Sequence, residues 1–180
     1  KIICDIMSGN IPDGICLRSK TKKILIYAGS LAQNGLTASL LNLLSSVERQ
    51  AVDIRITYRE EALKNNPENI KKIPEGFMAV PLSGKTLYSL SELVCYILYY
   101  KCGIEWRFAV KRLDKLYKRE WKRLYGEIKP DCAVHFTGYE YGVINLFRAA
   151  DVRRVIYVHN NMKEEIRLRK NQHEPTLRRA

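Results

Sequence analysis

The feature that most limits what this chain can fold into is the stretch over residues 22–47, KKILIYAGSLAQNGLTASLLNLLSSV, which has the pattern of strand, loop and helix. Ile24, Leu25, Ile26 and Tyr27 form an unbroken apolar run. Such a run suits a strand buried on both faces of a parallel sheet, whereas an alternating pattern would suit a strand with one wet face. Gly29 and Ser30 then interrupt it, Asn34 and Gly35 supply a second turn signal, and Leu36, Leu40, Leu43, Leu44 and Val47 recur at helical spacing. Small residues in this turn let a ligand approach the backbone, and the free N–H groups at a helix start favour anions. Many turns of this composition only redirect the chain, so the loop by itself does not choose between the two roles. Gly29 and Gly35 are its only glycines, which fails the G-x-G-x-x-G pattern and disfavours a dinucleotide site.

The same alternation continues along the chain. Residues 52–58 (VDIRITY) and 76–80 have strand patterns, separated by a polar stretch over 60–72 that contains Pro67 and suits a surface loop or short helix. Residues 79–86, AVPLSGKT, end like a phosphate-binding P-loop. Ala79 replaces its first glycine and Pro81 removes an N–H that the cradle would need, so a plain helix start is expected there. Residues 87–101 are apolar around most of a helix and predict a largely buried one. Residues 104–128 predict a long helix with Trp106, Val110, Leu113, Tyr117, Trp121, Leu124 and Ile128 along one stripe. Its other face carries Lys111, Arg112, Lys115, Lys118, Arg119, Lys122 and Arg123, which suits a solvated face, an anionic membrane or acidic acceptor, or nucleic acid. No helix-turn-helix or RNA-binding aromatic signature supports the last, so nucleic acid is disfavoured as a partner.

A fourth strand is expected over 132–136, a short helix over 141–150 and a fifth strand over 152–158. Asn161 with Glu164 has the spacing of a capping box that would start a last helix over 162–170. Strands alternating with helices imply an α/β fold, a doubly wound and mostly parallel sheet flanked by helices. In such sheets ligands bind outside the carboxyl ends of the strands. Three of those ends carry small or polar residues: Gly29 and Ser30 with Asn34 and Gly35; Thr137, Gly138 and Tyr139; His159 and Asn160. They are expected to converge on one crevice. His159 is the candidate for proton exchange or substrate orientation, because imidazole titrates near neutrality. His135, inside a strand, suits a buried structural histidine, and His173 a surface position.

A formal charge of +12 points to an anionic partner. The five cysteines are odd in number and lack CxxC spacing, which favours free thiols in a reducing compartment over disulfides or zinc. No apolar stretch reaches the ~20 residues of a membrane span, and the chain does not open like a signal peptide. A cytoplasmic setting, with peripheral contact to the inner membrane face, is therefore expected. Residues 1–21 are expected to be a leader or hairpin from a preceding region, and residues 22–180 the domain itself.

Residues 34–44 (NGLTASLLNLL), 131–147 (DCAVHFTGYEYGVINLF) and above all 155–166 (VIYVHNNMKEEI) resemble the N-terminal, acceptor-side domain of GT-B glycosyltransferases of the retaining family-4 type. The similarity is greatest to a bacterial branch associated with teichoic-acid and cell-wall polymer synthesis, linked to CDP-glycerol glycerophosphotransferases. It implies a Rossmann-like half of a GT-B fold, with transfer of a sugar from an activated nucleotide to a lipid-linked or polymeric acceptor. It also implies that Asn34 and Gly35 lie near the donor diphosphate and His159 by the sugar and acceptor. No D-x-D motif occurs in the sequence, so a metal-dependent transferase of the other common fold finds no support and no cofactor is expected. Asn34-Gly35 stands where the family usually has two glycines. The family's donor-nucleotide domain does not occur in this sequence, so the domain alone is expected to be inactive. The alternatives are a glycerophosphotransferase using CDP-glycerol, and a non-catalytic α/β module that binds a phosphorylated ligand or nucleic acid.

Overall fold

The computed structural model describes residues 21–48, 52–82, 84–137 and 140–157. Five parallel strands, β1 (Lys22–Tyr27), β2 (Val52–Arg59), β3 (Met78–Leu82), β4 (Cys132–His135) and β5 (Arg153–Ile156), form one sheet in the order β3-β2-β1-β4-β5. The α/β Rossmann-like class expected from the alternation is the class observed. Between the strands run α1 (Gly35–Ser46), the short α2 (Ala62–Asn65) and α3 (Pro67–Lys71), then α4 (Leu90–Tyr96), which passes into a π-helical turn (Ile97–Lys101). The long α5 (Arg107–Tyr125) and α6 (Tyr141–Arg148) complete the set. The leader expected over 1–21, apart from residue 21, and the last helix over 162–170 lie outside the described residues.

The unbroken apolar run in β1 is explained by what covers it. Leu25 and Tyr27 point into a core with α5 and α6, built around Leu113, Leu116, Trp121 and Phe147. Ile26 and Ala28 point the other way, into a core with Leu40 and Leu44 of α1 and with Ile54, Ile56 and Tyr58 of β2. A strand covered on both sides needs apolar residues at every position. Pro81 lies in β3, which pairs only with β2 and so has a free edge where a missing N–H breaks no ladder bond.

Three helical expectations are corrected. Residues 87–101 do not form one buried helix: α4 starts at Leu90, behind a capping box of Ser89 and Glu92, and Leu90 is 86% exposed. The reason is that α4 rests mainly on α5, with Glu92, Cys95 and Tyr99 turned inward, so one face has a neighbour and the other has solvent. The plain helix start expected at Thr86 thus falls four residues later. In α5 the expected stripe holds at Leu113, Tyr117 and Trp121, but Trp106 precedes the helix in extended backbone and is 64% exposed. Ala109, Leu116, Glu120 and Tyr125 complete the buried side instead.

His135 is buried, as its position inside a strand suggested, and stacks on Tyr27 with ring centroids 5.4 Å apart. Its Nε2 lies 3.3 Å from Thr137 Oγ1, while Nδ1 has no hydrogen-bond partner. Burial holds the imidazole neutral and lowers its pKa to about 4. Because the unfolded chain binds this proton more tightly than the folded one, the contribution of His135 to stability is fully present above pH 6.5 and is lost as the pH drops through about 4. The contribution is on the order of 3 kcal/mol at most. Urea unfolding of His135→Phe at pH 7 and at pH 4.5 should show a smaller loss between the two than the parent protein does. An equal loss in both proteins would mean that His135 is not the group being protonated.

Candidate functional site

The strand order reverses between β1 and β4, so the chain leaves their carboxyl ends in opposite directions and a crevice opens there. Two of the loops expected to converge do so. Gly29 has φ +68, and a Cβ on it would stand 2.5 Å from Thr137 Cγ2, so the loop after β1 presses directly on the loop after β4. Only glycine fits there, for conformation and for space. The β1 loop is also held from below. Asn66 Nδ2 donates to the Ser30 carbonyl at 3.0 Å and the buried Asn69 donates to the Leu31 carbonyl at 2.9 Å. The polar segment expected to be a surface loop or short helix therefore does form short helices, but two of its asparagines brace the site.

Asn34 and Gly35 have a different place. Asn34 is the N-cap of α1, its Oδ1 accepting from the Thr37 N–H at 3.0 Å. Gly35 is exposed, and a Cβ there would meet nothing within 4 Å. No protein contact demands this glycine, so a requirement for it would come from a ligand. Gly138, Tyr139, His159 and Asn160 lie outside the described residues. The neighbouring end of β5 is in place, with the Tyr157 N–H donating to the His135 carbonyl at 3.0 Å and its ring stacked on Phe136 at 4.8 Å.

Beside the crevice is a cleft of about 670 Å³, bounded by the ends of β2 and β3, the start of α6 and one side of α5. Its walls carry Tyr88, Tyr96 and Tyr141 with Arg59, Glu120 and Glu140. Glu140, at the N-cap position of α6, accepts from the Tyr27 hydroxyl at 2.8 Å. Burial, and then the adjacent Glu140 charge, push the Tyr27 phenol far above its usual range, so it remains a donor. Glu120 is only 2% exposed. Its Oε2 is held by the Arg123 guanidinium at 2.7 Å, whereas Oε1 has no hydrogen-bond partner and lies 4.0 Å from Arg119 Nε. Further back, Tyr117 and Tyr100 share a hydroxyl contact at 3.0 Å, and the Asn145 amide donates to Tyr100.

Aromatic rings beside a carboxylate and guanidinium groups are suited to a polyhydroxylated ligand: the rings cover its apolar faces, and Glu140 accepts from its hydroxyls, whereas Glu120 is buried behind the wall. Arg59, 3.4 Å from Glu61, and Arg123, 2.7 Å from Glu120, are the cations of its wall, and a phosphate group would compete with these carboxylates for them. The sequence did not point to this cleft. Glu120 sits in a helical pattern shared with many surface glutamates, Glu140 precedes a helix, and the tyrosines come from two segments far apart in the chain, 87–101 and 141–150. Among the described residues no cluster of His, Cys, Asp and Glu could hold a metal ion. The basic face of α5 divides in two. Arg112, Arg119 and Arg123 bond to Ser91, Glu92 and Glu120, while Lys111, Lys115, Lys118 and Lys122 are exposed. Among the described residues Cys95 is buried, Cys132 half-buried and Cys102 exposed, all as free thiols.

Neither a protein-family model nor a curated protein matches the chain.

The two glycines of the β1 loop should respond oppositely to alanine. Gly29→Ala is expected to cost about 1–3 kcal/mol, from a left-handed backbone and the clash with Thr137. Gly35→Ala should leave stability unchanged or raise it by up to about 1 kcal/mol, by improving the first helical turn. Urea midpoints of the two variants measure this, and equal destabilisation by both would contradict it.

Proposed function

We propose that this chain is the acceptor-binding domain of a transferase that moves a sugar from a nucleotide-activated donor to a lipid-linked or cell-envelope polymer acceptor. The observation that carries this is the tyrosine, carboxylate and arginine cleft beside the switch point of a parallel sheet, where a polyhydroxylated anionic acceptor finds stacking surface, a hydroxyl acceptor and cations. The resemblance of residues 155–166 to family-4 glycosyltransferases supports the same choice. Glu140, oriented by Tyr27, is the group placed to accept a hydrogen from an acceptor hydroxyl. His159 takes the sugar-orienting role that the resemblance implies.

The enzyme would work at the inner face of a cell membrane, with its four α5 lysines toward anionic lipid or acceptor. No helix among the described residues is long and apolar enough to cross a membrane.

The test uses the product of the complete natural coding region. Release of nucleotide from UDP-, GDP- and CDP-activated donors is measured with and without membrane lipid extract as acceptor. Acceptor-dependent release is expected, lowered roughly 10²-fold by Glu140→Gln and by His159→Ala. Unchanged release in both variants would remove these residues from the site, and no release with any donor would overturn the transferase assignment.

A further inference from the structure

Among the described residues, nine of the fourteen exposed large hydrophobic side chains fall in the stretch from Leu87 to Phe108. Leu90, Leu93, Val94 and Ile97 are three and four positions apart, so they lie on one face of α4 and the π turn, and they are 86%, 41%, 56% and 45% exposed. The opposite face is the packed one. Glu92 accepts from Arg119 at 2.8 Å, and this bond is the first cause that lowers the Glu92 pKa to about 2. The helix is thus fixed with its apolar side outward. Trp106 and Phe108, 64% and 67% exposed, add two aromatic side chains where α5 begins. Exposed apolar side chains concentrated on one helical hairpin mark a binding face.

The charges around it indicate what binds. Lys101, Arg107, Lys111 and Lys115 are exposed on the same hairpin, against one exposed acid, Glu105. Asp114 is already paired with Arg148. Lysines are depleted from protein interfaces, where their hydration is costly to remove. They are abundant on helices that lie in a lipid headgroup layer, with Trp, Phe and Leu inserted and the cations level with the phosphates.

We propose that the outward face of α4, the π turn and the start of α5 inserts shallowly into an anionic lipid bilayer. Tyr88, which lines the cleft, is two residues before Leu90, so the same surface would bring the cleft to the membrane. The proposal shares with the transferase assignment only the contact with an anionic membrane. Its test reads lipid binding alone, so either can fail without the other.

The chain has two tryptophans, one exposed and the other, Trp121, 9% exposed in the core, so Trp106 emission reports on this face. The full chain is mixed with phosphatidylcholine vesicles, with and without phosphatidylglycerol, and followed by sedimentation and tryptophan emission. Co-sedimentation with the anionic vesicles and a blue shift are expected. Leu90→Ser with Val94→Ser should weaken binding about tenfold or more while leaving the circular dichroism spectrum unchanged, since both side chains are in solvent. Lys111→Gln with Lys115→Gln should weaken it and flatten its salt dependence. Absence of binding, equal binding to both vesicle types, or binding unaffected by the serine pair would overturn the proposal. So would a concentration-dependent dimer, or a part of the same chain, that shields Trp106 without vesicles.

Discussion

The site depends on β1 being bonded along both edges at once. Its ladder with β2 extends past the end of the strand through Ala28 N–H to Thr57 and Arg59 N–H to the Gly29 carbonyl, both at 2.8 Å. On the other edge Phe136 N–H reaches the Tyr27 carbonyl at 3.0 Å. These bonds fix where the loops after β1, β2 and β4 begin, and so where Gly29, Arg59 and Thr137 meet. From the same strand Tyr27 packs its ring against His135 and Phe147, which also touch each other, and sends its hydroxyl to Glu140. One strand therefore sets the backbone of the crevice and orients an acid of the cleft.

The fold class could be read from the chain because it rests on local signals. An apolar run such as Ile24 to Tyr27, followed by a glycine turn and leucines three and four apart, has few other solutions. The places where it could not be read are those where a second element decides. The apolar content of α4 suggests burial. That helix has mainly α5 beneath it, and the Arg119–Glu92 pair selects which side faces inward. Trp106 extended a helical stripe in the sequence but belongs to the turn before the helix, where the period of 3.6 no longer applies.

The candidate site was legible to the same extent. The turn residues Gly29 and Thr137 were found because a switch point needs small residues at strand ends, and they do meet. The cleft was not found, since Arg59, Glu120 and Glu140 become neighbours only through the sheet order and the path of α5. The charge pattern of α5 has a similar lesson. Seven cations look alike in sequence, yet the planar arginine groups reach back to bond Ser91, Glu92 and Glu120, while the lysines remain in water.

The central claim is that the tyrosine-lined cleft receives a polyhydroxylated anionic ligand. Ring-labelled tyrosine NMR of the chain, titrated with short glycerol phosphate oligomers and with neutral oligosaccharides, tests it most directly. Saturable shifts of Tyr88, Tyr96 and Tyr141 are expected, with Tyr58, which packs in the core on the α1 side of the sheet, unaffected. Tyrosine signals that stay in place to about 10 mM ligand, far weaker than the millimolar end of ordinary recognition, or shifts confined to tyrosines outside the cleft, would contradict it.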